Sequence, residues 1–326
     1  MPAFTTHYLY GVDLFRDMTS TTIKAILRNH IGAYRLGLQG PDLFFYDPLC
    51  MMMPKEANIG SLLHETNASL FFEHYLTNLK QLCNKESRET MLAYLCGFLG
   101  HYTLDCAIHP YVYSKIGYQP NSKIPAKYYF GNHGELEALI DFILLKEHKK
   151  STPSLFHQSK TIHLPAKELL CLSNFLSRTL KMTYPNLSAP GTSVLGVSLA
   201  YLCTKFATSF LHSYSGRRKR YILALEQQIL HYHLIGTIMV WDGMEDKQDA
   251  MNRSHNEWRN PWDETLISRE SVDELYQKAK ENYAALMPLL EDYYLCQNQS
   301  AKAKKKPLQK ELGNFSYHSG LECESW

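Results

Sequence analysis

His101, Asp105 and His109 stand four residues apart within FLGHYTLDCAIHP, and the same step recurs at His133 and Glu137 within NHGELEALID. On a helix four residues return to nearly the same face, drifting only about 40° at each step. One segment therefore lines up three metal-type ligands and the other lines up two. A plain polar stripe is the alternative, but three ionisable groups on an apolar helix are costly to bury without partners. Two such helices within forty residues must bring these groups together or expose them. The flanking sequence is too apolar for exposure.

The rest of the chain supports a helical protein with a sizeable core. Its 326 residues are 45% hydrophobic and 12% aromatic, which argues against disorder. A net charge of +2 does not mark a nucleic-acid binder, and none is expected as a partner. The eight cysteines include no Cys-x-x-Cys pair, a usage that fits a reduced compartment better than a disulfide framework. MPAFTTHYLYG has no basic segment followed by an apolar core, and no run reaches the ~18 apolar residues of a membrane span. The sequence reading is a soluble, cytoplasmic protein.

Helical periodicity runs nearly throughout, with no convincing alternating strand. Helices are expected from Thr19 or Thr21 to about Gly32, from near Ser61, over Ser87 to Ile108, and from His133 to Lys150. Later ones are expected at roughly 165–182, 191–212, 217–241, 244–257 and 271–296. Between two ligand helices, Pro110 to Asn132 reads as a long Tyr- and Lys-bearing connection, the kind usually functional or disordered. Residues 1–298 read as one all-α compact multi-helix domain, and 299–326 as a flexible Lys-rich tail. The basic start of RRKRYILALEQQILHYHLIGTIMVW suggests a lipid or phosphate contact, but a solvated helix entrance is the favoured reading. Trp241, Trp258 and Trp262 are read as packing residues.

Three further candidate ligands precede the paired helices: His7, Asp42 in a GPD turn, and His64. Zinc takes imidazole nitrogen and carboxylate oxygen, and catalytic sites leave a position for water. The ordered set His7, Asp42, His64, His101, Asp105, His109, His133 and Glu137 resembles the ligand series of the zinc-dependent phospholipase C family. The resemblance covers roughly residues 1–145, with the later helices completing a phospholipase C/P1 nuclease-like fold. It implies two to three Zn2+ ions. Asp42, His64, His101 and Asp105 would hold one ion, and His109, His133 and Glu137 a second. His7 and a bridging Asp105 would serve a third. It also implies that Asp42 is the general base of a phosphodiester hydrolysis by a metal-activated water. The substrate would be a phospholipid head group or a soluble phosphodiester, with transient membrane contact.

Asp141, one helical step beyond Glu137, is the candidate outer acceptor for a ring nitrogen, with Glu65 a weaker one. Two departures from the family pattern stand out. The chain opens Met1-Pro2, where the secreted enzymes offer a processed Trp. Leu43 follows Asp42 where choline-preferring members carry an aromatic, and Phe44, Phe45 or Tyr46 could stand in for it. The alternatives are a single-strand nuclease of the related fold and a non-catalytic metal-bound scaffold that binds a lipid or protein partner.

Overall fold

In the computed structural model, residues 4–46, 58–66, 68–125, 127–187, 190–296 and 301–323 are described. Met1 and Pro2 lie outside them. The fold is mostly helical, as the periodicity predicts. Its axis is the 31-residue helix Lys85–Lys115 (α6), buried along nearly its whole length between Thr90 and Val112. This helix is long and apolar enough to cross a membrane, yet 89% of its most apolar window is buried inside the protein. It is a core helix.

Around it pack α1 (Phe4–Asp17), α2 (Thr21–Asn29), α3 (Ile31–Gly37), a 3-10 turn over Gly40–Tyr46, α4 (Ile59–Glu65) and α5 (Ala68–Gln81). The chain continues through α7 (Lys127–Lys149), α8 (Ala166–Thr183), α9 (Val194–Thr208), α10 (Arg217–Ile229), α11 (Val272–Leu295) and α12 (Ala301–Leu312). Local sequence sets several starts. Ser20, Asn58, Asn84 and Ser193 each accept a backbone N–H of the first turn, and Ser271 with Glu274 forms a reciprocal capping box.

The closest helix crossing is α3 on α6. A Cβ at Gly97 would lie 2.0 Å from the Tyr34 carbonyl oxygen, and one at Gly37 would lie 2.1 Å from that of Tyr94. Backbone meets backbone here, so nothing flexible can yield. Gly97→Ala is therefore expected to destabilise by about 3 kcal/mol, the upper range for overpacking. Chemical denaturation would read this as a lowered midpoint, and an unchanged midpoint would contradict the crossing.

Four parts of the chain differ from the sequence reading. The connection between the two helices is shorter than the expected Pro110–Asn132, because α6 continues through Pro110 to Lys115 and α7 already begins at Lys127. Pro110 removes one N–H, and the Cys106 carbonyl left over faces Gly320 instead. Residues 244–257 form turns, not a helix. Asp246 accepts the Gln248 and Ala250 N–H groups, Asp249 accepts those of Arg253 and Ser254, and Asp249, Asn252 and His255 take positive φ. Such side chains compete with the helical ladder for the backbone.

Two small sheets also appear: β1 (His212–Ser213) parallel to β2 (Val240–Trp241), and β3 (Trp258–Asn260) antiparallel to β4 (Asp263–Ser268). Finally, the expected flexible tail is ordered over 301–323. Leu308 and Leu312, one helical step apart, are buried, as is Tyr317. Tyr102 donates to the Leu312 carbonyl and accepts from the Phe315 N–H, and Asn260 donates to the Ser319 carbonyl.

Candidate metal centre

The eight candidate ligands come from five elements and meet in one buried region. His7 lies on α1, Asp42 in the 3-10 turn, His64 on α4, His101, Asp105 and His109 on α6, and His133 and Glu137 on α7. Three groupings arise in which the ligand atoms lie within 4.8 Å of one another: His7, His101 and Asp105; Asp42, His64 and His101; His109, His133 and Glu137.

Asp105 is the hub. One carboxylate oxygen lies 3.1 Å from His7 Nε2, and the other lies 2.9 Å from His101 Nε2 and 3.7 Å from His64 Nε2. His64 Nε2 is also 3.2 Å from Asp42 Oδ1. On the far side, Glu137 Oε1 sits 3.1 Å from His109 Nε2 and 3.0 Å from His133 Nε2. Between these two ends lies a cavity of about 20 Å³, lined by His7, Asp105, His109 and Glu137 among others. That is room for a water or an ion. Gly40 admits the Asp42 turn beside His101. Its φ is +48°, and a Cβ there would lie 2.6 Å from the imidazole.

The backbone fixes the ring orientations. His64 Nδ1 donates to the Gly60 carbonyl at 2.6 Å, His101 Nδ1 to Leu38 at 3.2 Å, and His109 Nδ1 to Tyr317 at 2.9 Å. A carbonyl only accepts, so each Nδ1 bears the proton. The three Nε2 atoms are thereby turned toward the carboxylates, the arrangement usual for metal-ligating histidines.

This donor set fits a divalent cation. A neutral Nε2 facing a carboxylate oxygen at about 3 Å presents lone pair to lone pair, so a proton or a cation must sit between them. Both oxygens of Asp42, His101 Nε2, Asp105 Oδ2, Glu137 Oε2 and His7 Nδ1 are buried without a hydrogen-bond partner. Buried polar atoms rarely stay so. In the protein alone, the neighbouring histidines hold the carboxylates ionised. Burial works against ionisation of Asp105, but His101, His109 and His7 hold its carboxyl well below the usual range. Glu137 is likewise held low against burial by His133 and His109. Burial lowers His109, and the neighbouring Asp105 and Glu137 overcome it, pushing the ring up to about 9. Burial prevails at His133, whose pKa falls. Cations binding here would displace those protons.

Asp141 has a different job from the one its spacing predicts. Its carboxylate accepts the Thr5 and Thr6 N–H groups at 2.9 and 2.6 Å and the Thr6 hydroxyl at 2.7 Å. It caps the start of α1 and so holds His7 in place. Burial pushes its carboxyl up to about 6 despite those bonds. Glu65 lies 3.7 Å from His318 Nδ1.

Sequence reasoning missed Tyr317, whose backbone joins two ligand segments. Its N–H donates to the His64 carbonyl at 3.0 Å and its carbonyl receives the His109 ring proton. Its ring packs on His64 and His101. The signal was there: Leu308, Leu312, Phe315 and Tyr317 are too apolar for a solvated tail. Removal of residues 314–326 is expected to weaken zinc binding 10–100-fold, the usual effect of losing a ligand's outer partner. Competition with a chromophoric chelator measures this, and an unchanged affinity would remove Tyr317 from the site. The sequence offers Tyr46 only as a stand-in for the aromatic that follows Asp42 in choline-preferring members. Burial first, then Asp42, Asp141 and Glu137, raise its phenol well above normal, so it stays protonated as a donor.

A family model described as zinc dependent phospholipase C matches residues 6–184, more than half of the chain. The matched segment contains all eight ligand candidates and Asp141, and stops short of Tyr317. A search of curated proteins and a search of solved structures each return no match.

Proposed function

Because the chain belongs to the zinc-dependent phospholipase C family, we propose that it hydrolyses the phosphodiester of a phospholipid head group or of a soluble analogue. The observation that carries this reading is the convergence of five imidazoles and three carboxylates in one buried pocket, with acceptor atoms left unpaired. Asp42, His64, His101 and Asp105 would hold one ion, His109, His133 and Glu137 a second, and His7 with Asp105 a third. When bound, zinc lowers the pKa of a coordinated water toward ~7 and withdraws charge from phosphoryl oxygens.

The protein's own groups supply orientation and proton transfer. Asp42 is buried, and neither of its oxygens has a hydrogen-bond partner, so one is available to take the proton of the attacking water. The carbonyls of Gly60, Leu38 and Tyr317 keep three imidazoles from rotating away.

Parallel assays of zinc-loaded protein on a chromogenic phosphocholine ester, phospholipid vesicles and single-stranded DNA test the proposal. Turnover of the ester or lipid that a chelator abolishes is the expected result. Cleavage of DNA alone would move the chain to the nuclease reading. Turnover of none would leave a metal-bound scaffold.

A further inference from the structure

Helix α10 is inside out. Its buried residues are the charged pair Lys219 and Glu226, while Tyr221, Leu225 and Ile229 lie exposed, Tyr221 by 70% and Ile229 by 65%. The charged pair is fully used. Lys219 Nζ donates to the Thr237 and Met239 carbonyls, and Glu226 receives the N–H groups of Leu234, Ile235 and Gly236. These bonds clamp α10 to the segment after it and leave an apolar line, spaced i, i+4, i+8, facing outward.

Helix α9, the preceding helix, also turns apolar residues outward. It buries Val197, Ala200, Tyr201 and Thr204 and exposes Leu195, Leu202 and Phe206, the last by 68%. The link between the helices is direct. The Phe206 ring lies 4.8 Å from that of Phe210, over which the Arg218 guanidinium sits at 5.9 Å while donating to the Phe210 carbonyl.

Charge identifies the occupant. From Val194 to Met239 the chain has five lysines and arginines and a single acid, the buried Glu226. Lys205, Arg217, Arg218 and Arg220 are not buried. Glu135, the acid contributed by α7, faces Lys219 at 3.9 Å. A protein partner's groove would match the apolar line. The combination of exposed aromatic and aliphatic residues with cations of one sign matches an anionic lipid surface.

The face also backs the metal centre. Thr204 of α9 donates to the Leu43 carbonyl beside Asp42, and Gly134, next to His133, packs against Thr237 and Ile238 of the clamped segment. We propose that α9 and α10 form the surface by which the protein lies on an anionic phospholipid bilayer. The proposal rests on the phospholipase reading for its choice of a lipid surface. The test scores capture, not turnover, so protein that pellets with vesicles and hydrolyses nothing refutes the reaction and leaves this surface standing.

The test is co-sedimentation of the full-length zinc-loaded protein with vesicles of phosphatidylcholine alone and of phosphatidylcholine mixed with phosphatidylglycerol. Wild type should pellet with the mixed vesicles, and less so as salt rises. The triple variant Arg217→Gln, Arg218→Gln, Arg220→Gln should lose about 100-fold in partitioning onto them. Tyr221→Ser, Leu225→Ser, Ile229→Ser should lose binding to both compositions. Both variants should match wild type in melting temperature and zinc content. Wild type that pellets with neither vesicle, or variants that pellet as wild type does, would overturn the proposal. So would a wild-type dimer in light scattering that the apolar variant abolishes, since the face would then pair copies of the chain.

Discussion

Asp42→Asn is expected to lower turnover of a phosphodiester by ~10³-fold while leaving most of the zinc in place. General acid–base groups contribute roughly 10²–10⁴-fold. The amide is nearly isosteric with the carboxylate and keeps one oxygen near His64, whose Nε2 is 3.2 Å from Asp42 Oδ1. It cannot take a proton from water. The rate should fall in kcat, with KM little changed, because the lost interaction belongs to the transition state. Steady-state kinetics beside elemental analysis separates the two roles of this residue. A variant that keeps its zinc and its full rate would remove Asp42 from catalysis.

His101→Ala should have the largest effect on stability. His101 is fully buried and belongs to two of the three ligand groupings, the one with His7 and Asp105 and the one with Asp42 and His64. Its loss leaves those carboxylates facing each other with fewer neutralising partners. A site held at ~1,000 times its dissociation constant contributes about 4 kcal/mol to folding. For a chain of this size that corresponds to a fall in melting temperature of about 6 °C per site. Glu137→Ala should produce a smaller fall, because Glu137 belongs to one grouping only. Thermal denaturation in the presence of zinc measures both. Equal, negligible shifts would mean that the ligands do not share a site.

The helices that carry the candidate ligands are legible in the sequence because their spacing is a local property. The i, i+4 steps at His101, Asp105 and His109 and at His133 and Glu137 fix which faces carry the ligands, whatever surrounds them. What the sequence conceals is decided by partners distant along the chain. Pro110 reads as a helix stop, yet α6 passes through it, and Gly320 from the distant C-terminal segment lies against the Cys106 carbonyl that the proline leaves over. Asp141 has the spacing of a further site residue, but the first turn of α1 claims its carboxylate. Leu308, Leu312, Phe315 and Tyr317 mark the stretch after the Lys-rich 301–306 as packed, but no local spacing tells that Tyr317 bridges His64 and His109. The turns at 244–257 misled for a chemical reason: Asp246 and Asp249 bind their own backbone where helical spacing places them on a face.

Zinc content measured on the native protein tests the central claim most directly. Elemental analysis should find two to three zinc ions per chain, with re-addition after chelation restoring both the metal and the melting temperature. Protein that purifies without zinc, and whose melting temperature added zinc leaves unchanged, would contradict the account.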